Sequence, residues 1–403
     1  MKKNSDLQFN YLEHGIYVKS WKLIYVNLVL VLLLLAGDQF SFADSHVRKK
    51  IVPGVMHHSV YIDSGPWSIN ILEVDLQENS SLNLKTYKAE EQLAAREKLS
   101  EMSRKLAISG YEVIGGINGD FFSSEGIQIG VQVVDGLIIS EPCDRSVFGF
   151  TVNRRPFIDI VDYEGHILTE NGNSHKVHTI NRAREKDFLV LYNSFIGRST
   201  QTNKWGTEIA VEVMGQTTIN DTMIGVVREM ETRKGNMSIE ENELILSGHD
   251  AGHIFLLNNV EDDDTVKIHL KLHPITERID QAIGGMPRLL RDGRVVLSDK
   301  IESIPENFAM TKHPRSAVGF SADSTTIFLV TVDGRQAGFS EGMTLVELAT
   351  YLLTIDVYDA LNLDGGGSTT MVIGDRVVNS PSDNTGERAV ANGLFIISGD
   401  HDN

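Results

Sequence analysis

The sequence LNLDGGGSTTMVIGDRVV, residues 361–378, places one aspartate, three consecutive glycines, one serine and two threonines between two apolar runs. Each glycine inside an element costs ~0.5–1 kcal/mol relative to alanine, so the run favours close approach of a ligand to the backbone. It is not a P-loop, because no lysine precedes Ser368, and it lacks the G-x-S-x-G spacing of a nucleophile elbow. The glycine N–H groups could bind an anion, and Asp364 could act as nucleophile, base or acceptor of a sugar hydroxyl.

Two further clusters place polar side chains at the ends of predicted strands. In GGINGDFF, residues 115–122, Asn118 and Asp120 could bond a sugar hydroxyl or close an Asx turn, and the two phenylalanines could form a sugar platform or core. In KHPRSAVGF, residues 312–320, Arg315 begins an apolar strand. A guanidinium there needs an anion, which could be a bound phosphate or carboxylate or a structural salt-bridge partner.

The fourth cluster is VDGRQAGFSEGMT, residues 332–344, which links a predicted strand to a predicted helix. The predicted strand ends at Asp333 and Arg335, and two glycines make the segment that follows flexible. Such a segment could fold over a ligand or could be a plain connection.

Short strands and a few helices must position these clusters. Asp135-Gly136 and Asp292-Gly293 predict hairpin turns. Thr344 with Glu347 predicts a capping box. Helical periodicity marks 94–109 and 344–355, and strands are predicted at 68–76, 81–87, 111–118, 131–140, 188–193, 208–214, 265–272, 325–334 and 393–398. The pattern predicts an α+β fold, a mostly β-sheet single catalytic domain with a few covering helices.

The charge balance excludes some partners. Without residues 1–43, which hold four lysines and three acids, the chain has 33 basic and 52 acidic residues, or about −19. Such a surface disfavours nucleic acid and anionic lipid, so we expect neither as a partner, and a phosphate must be bound by a few local groups. The acidic run at 261–264 could hold a divalent cation through oxygens or could be a solvated turn.

The N-terminus indicates export. An apolar block at 23–36 follows four lysines and precedes Ser41-Phe42-Ala43, which is typical of a signal peptide and compatible with an uncleaved anchor. We therefore expect a secreted or cell-envelope protein with no other membrane segment. Its single cysteine, Cys143, excludes an internal disulfide and a metal site of several cysteines.

Together the motifs resemble the phosphodiester glycosidase family. GGINGDFF, IGGMPRLLRDG, HPRSAVGF, TVDGR, LNLDGGGSTTMV and GERAVANGLFI occur in family order from about residue 115 to residue 397. The resemblance implies hydrolysis of a sugar phosphodiester, such as an N-acetylglucosamine-1-phosphodiester, at the anomeric carbon, giving free sugar and a phosphomonoester. It also implies a role on cell-envelope or exopolysaccharide material, with 111–403 as the catalytic domain, 44–110 leading into it and 1–43 as the signal or anchor.

The family pattern places a set of residues around one cleft. Among them one carboxylate could attack the anomeric carbon or activate water: Asp364 is the first choice, and Glu387 and Asp120 are the other candidates, although relatives often carry a glycine at the position of Asp120. The candidate substrate-binding residues are Asn118, Gly119, Phe122, Arg315, Asp333, Arg335, Gly365, Gly366, Gly367, Ser368 and Arg388. No cofactor is implied with certainty, the metal requirement is open, and the expected partner is a carbohydrate phosphodiester.

The chemistry of the residues agrees with this resemblance. A phosphodiester leaving group departs as a stable anion, so the site needs positive potential more than a strong acid. The alternatives are a metal-dependent phosphodiesterase that breaks the P–O bond, using His57, His58, His175 or His178 as ligands, and a non-catalytic glycan-binding module.

Overall fold

Alternation of apolar and polar residues along short runs makes this a predominantly β structure. The computed structural model describes residues 44–240, 242–297, 302 and 304–399. The strands in chain order are β1 (Ser45–Val52), β2 (Val55–Ile62), β3 (Trp67–Asp75), β4 (Leu82–Lys88), β5 (Glu97–Lys98), β6 (Glu112–Asn118), β7 (Gln132–Val134), β8 (Leu137–Ser140), β9 (Ser146–Thr151), β10 (Pro156–Ile160), β11 (Asp162–Leu168), β12 (Ser174–Lys176), β13 (Thr179–Ile180), β14 (Leu189–Tyr192), β15 (Thr207–Met214), β16 (Thr222–Thr232), β17 (Glu243–Gly248), β18 (Thr265–His273), β19 (Ile279–Gly284), β20 (Arg288–Arg291), β21 (Arg294–Val295), β22 (Arg315–Phe320), β23 (Thr326–Val332), β24 (Asp359–Asn362), β25 (Met371–Ile373), β26 (Arg376–Val377), β27 (Ala389–Val390) and β28 (Asn392–Ser398). The helices are α1 (Leu99–Ile108), α2 (Ala251–Asn259), α3 (Glu306–Met310) and α4 (Leu345–Thr354).

Two sheets supply the strand ends that carry the motifs. One has the order β1-β2-β3-β23-β22-β24-β20-β21, and the other has the order β26-β25-β6-β28-β4. Leu72, Val318 and Leu361 of the first belong to one buried cluster with Ile117 and Leu394 of the second. Because these five side chains are fully buried, the two sheets share a hydrophobic core.

A second core holds the remaining large sheets together. Their orders are β12-β11-β18-β16-β15-β17-β14-β13 and β10-β9-β19-β7-β8. Val133 and Ile138 of the five-stranded sheet cluster with Ile209, Leu246 and Ile268 of the eight-stranded sheet. None of the candidate site residues lies on these strands, so this part of the molecule supports the site without forming it.

The helices cover the sheets as their periodicity predicts. The predicted capping box of α4 is confirmed: the Thr344 hydroxyl accepts from the Glu347 N–H at 3.1 Å, and the Glu347 carboxylate accepts from the Thr344 N–H at 2.8 Å. Leu348 of α4 packs in a buried cluster with Ala317 and Val330. Helix α1 begins later than predicted, because residues 97–98 pair with β27 as strand β5.

The α+β, mostly β fold is thus confirmed, with four helices in the part of the chain that the structure describes. Both predicted turns occur, with positive φ at Asp135 (49°) and Asp292 (51°). Strands β3 and β4 pair with β23 and β28, so segment 44–110 belongs to the same sheets as the motifs that follow, and the proposed boundaries stay a prediction. The predicted signal segment lies outside the described residues. Among the described residues, no helix is long and apolar enough to cross a membrane.

Candidate active site

Three strand ends meet at the candidate site, and Asn118 at the end of β6 joins them. Its side-chain Nδ2 donates to the Asp364 carbonyl at 2.6 Å. Its Oδ1 accepts from the Ser316 hydroxyl at 2.6 Å and from the Thr370 N–H at 3.1 Å. The Asp364 N–H also donates to the Gly119 carbonyl at 2.9 Å. Asn118 and Gly119, predicted to bind substrate, therefore hold the loop of Asp364 against β6 and β22.

The three glycines after Asp364 make room for other protein groups. The Gly366 N–H donates to the Pro314 carbonyl at 2.9 Å, and the Ser368 N–H to the Gly365 carbonyl at 3.2 Å, so these amides are not free to bind an anion as the sequence indicated. A Cβ at Gly366 would lie 3.1 Å from an Arg335 nitrogen. At Gly367 it would lie 2.1 Å from an Arg388 nitrogen. The glycines therefore let two guanidinium groups approach the backbone.

The Arg315 side chain is a buried cation held by carbonyl groups. Only 2% of the residue is exposed. Its Nε donates to the Met343 carbonyl at 2.9 Å, and its Nη2 donates to the carbonyls of Thr311 at 2.8 Å and Phe308 at 3.2 Å. Burial, followed by the charge of Arg335, lowers the pKa of Arg315 to about 10. Within the described residues it makes no salt bridge, so its charge is available to a bound anion.

Two more arginines and a histidine stand beside Arg315. Arg335 has a positive φ of 59°, and its Nη2 lies 3.2 Å from His313 Nδ1. Arg388 makes a bidentate salt bridge to Asp383 at 2.7 and 2.9 Å. Burial, Arg315 and Arg335 all lower the pKa of His313, so at neutral pH the imidazole is uncharged.

A cleft of about 180 Å³ brings these groups together. Among the residues that the structure describes, one carboxylate lines it, that of Asp364, while the rings of Phe121 and Phe308 lie 6.1 Å apart on its wall. The lining residues are Phe121, Phe308, His313, Arg315, Arg335, Asp364, Gly365, Gly366, Gly367 and Arg388. Burial raises the pKa of Asp364 to about 6, against the opposing effects of the Ser368 hydroxyl, the Gly365 N–H and Arg388.

The structure places the other two candidate catalytic carboxylates outside the lining of this cleft. Glu387 caps helix α1, where it accepts from the Ser100 N–H at 2.8 Å and from the Ser100 hydroxyl at 2.6 Å. Asp120 is 2% exposed and accepts from the N–H groups of Phe121 at 2.7 Å and Gly130 at 2.6 Å. Burial raises the pKa of Asp120 to about 7. Because both side chains are engaged in the framework, neither faces the space where a substrate would bind.

Two candidate substrate-binding side chains also lie behind the cleft. Asp333 is 1% exposed and accepts from the Ser68 hydroxyl at 2.8 Å, from Asn379 Nδ2 at 3.0 Å and from the Ser380 N–H at 2.8 Å. Phe122 packs against a buried cluster that includes Leu99. Asp333 therefore fixes the base of its loop, and Phe122 belongs to the core.

Sequence reasoning named Phe122 rather than Phe121 as a binding residue and missed His313 and Phe308. Phe121 lines the cleft in place of its neighbour Phe122, because adjacent side chains of an extended segment point to opposite sides. His313 precedes Pro314 within a motif that was noticed for Arg315 alone. Phe308 lies on the short helix α3, which no periodicity marked.

The other features considered in the sequence lie away from the cleft. His57 and His58 are on β2, while His175 is on β12 of another sheet. In the described ranges no three His, Cys, Asp or Glu side chains gather as metal ligands would. A larger cavity of about 850 Å³ is lined by none of the candidate site residues.

Known proteins resemble parts of this chain. A Bacillus subtilis (strain 168) protein, the SPbeta prophage-derived uncharacterized protein YomE, is 38% identical over 91 residues, which are 23% of this chain and 14% of that protein. The N-acetylglucosamine-1-phosphodiester alpha-N-acetylglucosaminidase of Bos taurus is 33% identical over 112 residues, which are 26% of this chain and 21% of the bovine protein. The chain thus matches about a fifth or less of the length of these relatives.

The fold itself has a solved counterpart. The crystal structure of a hypothetical protein from Synechocystis matches 89% of this chain and 64% of its own chain, with a TM-score of 0.65 and 19% sequence identity. At that identity the match shows a shared fold and nothing about activity. The family model for phosphodiester glycosidases matches residues 206–397, and it confirms the family resemblance that the motifs of this chain indicate.

Proposed function

We propose that this protein is a hydrolase that cleaves a sugar 1-phosphodiester at the anomeric C–O bond, releasing free sugar and a phosphomonoester. One observation carries the proposal: among the described residues of the cleft, a single carboxylate, Asp364, faces three guanidinium groups. The phosphate would be bound by Arg315, Arg335 and Arg388. Asp364 would either attack the anomeric carbon as a nucleophile or activate a water molecule as a base.

The count of carboxylates supports this reaction class. Most glycosidases need two carboxyl groups, one of which protonates a poor alkoxide leaving group. A phosphate leaving group departs as a stable anion, so positive charge replaces the acid. Overall, a water oxygen bonds to the anomeric carbon, the C–O bond breaks, and phosphate keeps the bridging oxygen. The displaced proton passes through Asp364 to solvent.

The finer details of substrate and location are also proposed. Because the bovine relative is named for an N-acetylglucosamine-1-phosphodiester, we propose an N-acetylhexosamine 1-phosphodiester as the substrate. The rings of Phe121 and Phe308 would contact the sugar face, since aromatic rings bind the apolar faces of such ligands. The N-terminal export pattern supports action on envelope or exopolysaccharide material outside the cytoplasm.

Isotope labelling tests the bond that breaks. The protein is incubated with an alkyl N-acetylglucosamine-1-phosphate diester in ¹⁸O-water, and the label is located by mass spectrometry. Label on the free sugar is expected. Label on the phosphomonoester would instead show P–O cleavage and overturn the proposal, as would saccharide binding without turnover across a panel of sugar 1-phosphodiesters.

A further inference from the structure

His313 lies in the cleft on a backbone that allows it little movement. Its N–H donates to the Met343 carbonyl at 3.2 Å, and its carbonyl accepts from the Met343 N–H at 3.0 Å. Pro314 follows directly, and the Pro314 carbonyl receives the Gly366 N–H. The backbone at His313 and Pro314 is therefore anchored between the loop after β23 and the glycine loop of Asp364.

The contact with Arg335 determines which ring nitrogen carries the proton. Arg335 Nη2 lies 3.2 Å from His313 Nδ1. Because a guanidinium has only donors, Nδ1 must be the acceptor in this contact. The proton of the neutral imidazole is then on Nε2, which makes that nitrogen a donor.

Charged groups surround this imidazole on several sides. Arg315 follows two residues later, Arg335 comes from the loop after β23, and Asp364 and Arg388 line the same cleft. The adjacent Lys312 is paired with Glu341 at 2.8 Å. Burial and two arginines keep His313 neutral, so it adds a hydrogen-bond donor where a fourth cation would be repelled.

We propose that His313 is a substrate-contacting residue whose Nε2–H donates to a non-bridging phosphate oxygen, with Arg335 as its positioning residue. This inference rests on the proposed function for the identity of the anion. A bound anion beside the imidazole favours its protonated form, and a dianion favours it more than the monoanionic phosphodiester does. Anion affinity should consequently rise as pH falls, and this rise should depend on His313.

Sulfate is a suitable probe, because it is tetrahedral and remains a dianion throughout this pH range. Asp364 also titrates in the cleft, so the reference protein is the Asp364→Asn variant and the test protein is the Asp364→Asn, His313→Gln double variant. Glutamine keeps an amide donor near the position of Nε2 but cannot be protonated. Calorimetry at pH 5.5 and pH 8 then gives the sulfate Kd of each folded variant.

The reference protein should bind sulfate several-fold more tightly at pH 5.5 than at pH 8, and the double variant should lose most of this difference, leaving only what the titration of Asp120 contributes. An undiminished pH dependence in the double variant, or none in the reference, overturns the proposal. In kinetics, His313→Ala should lower kcat/KM by about 10–100-fold, and His313→Gln should recover much of that loss. Equal losses in both variants would contradict the donor role. Sulfate binding needs no turnover, so this result is independent of the labelling experiment.

Discussion

At the residue scale, Asp364 is subject to opposing influences on its charge. Burial raises its pKa to about 6, and Arg388 acts in the opposite direction. A carboxylate must be ionised to attack carbon or to accept a proton from water, so activity should fall as pH drops below about 6. Asp364→Asn should lower kcat by about 10²–10⁴-fold at pH 7. Steady-state kinetics check this, with the exposed Asp375→Asn as a control that should retain full activity.

Arg388 offers a test of that electrostatic balance. Its positive charge favours ionised Asp364, so Arg388→Gln should raise the pKa of Asp364 above about 6. The acid limb of kcat/KM against pH should therefore move to higher pH. Lys312→Gln, which removes a paired cation that does not line the cleft, serves as the matched control. If both variants leave the limb unchanged, Asp364 is not the group that titrates.

Arg315 tests whether the cleft needs a guanidinium or only a positive charge. Its donors to three carbonyl groups fix the guanidinium plane, which a lysine ammonium cannot reproduce. Arg315→Lys should lower kcat/KM by about 10²–10³-fold, as loss of one preorganised donor does elsewhere. Near wild-type kinetics would show that Arg315 serves the fold alone. A thermal melt separates this result from unfolding.

At the scale of elements, Glu387 links two distant parts of the chain. It accepts two hydrogen bonds from Ser100 in the first turn of α1, where N–H groups have no helical partners. Glu387→Gln should therefore lower the free energy of unfolding by about 0.5–2 kcal/mol and leave kcat unchanged. Urea denaturation and kinetics measure both quantities, with the exposed Glu112→Gln as control. A large loss of kcat in a folded variant would restore Glu387 to the catalytic group.

Local signals in the sequence were sufficient to predict many elements. The capping box at Thr344, the Asp-Gly turns and the longer strands depend on neighbouring residues, and each occurs as predicted. The direction of a side chain at a strand end depends on tertiary packing, which spacing does not encode. For this reason Phe122 was predicted to bind substrate, whereas Phe121 lines the cleft. Glu387 was likewise predicted to share the cleft with Arg388, but its side chain caps helix α1. The glycines after Asp364 were recognised as sites of close approach, but the groups that approach are arginines of the protein.

At the scale of the whole molecule, net charge and local charge differ in sign. The chain carries a formal −18, yet three guanidinium groups meet at one cleft. Charges separated by more than about 10 Å are largely screened at 0.1 M salt, so the cleft cations dominate for a bound phosphate. The acidic surface instead disfavours adsorption to other polyanions, so anion binding depends on local groups such as those of the cleft.

Asp120 connects the site framework to the stability of the whole molecule. Its carboxylate bonds to Gly130 before β7, and a Cβ on Gly284 at the end of β19 would lie 2.6 Å from it, so Asp120, which follows β6, packs against two neighbouring strands of the five-stranded sheet. Burial raises its pKa to about 7, well above the value of about 3.9 expected when unfolded. The folded state then binds the proton more tightly. The stabilisation that this tighter proton binding gives to the folded state is fully present below pH 4 and is lost as pH rises to about 7.

Asp120→Asn should remove this dependence. Between pH 5 and pH 8 the wild-type free energy of unfolding should fall by roughly 2–3 kcal/mol more than that of the variant, since each pKa unit corresponds to about 1.4 kcal/mol. Urea denaturation at the two pH values measures the difference. Asp262→Asn, on an exposed turn, should behave as wild type. An equal fall in wild type and Asp120→Asn would mean that Asp120 stays ionised in the fold, with its two N–H donors outweighing the desolvation that raises its pKa.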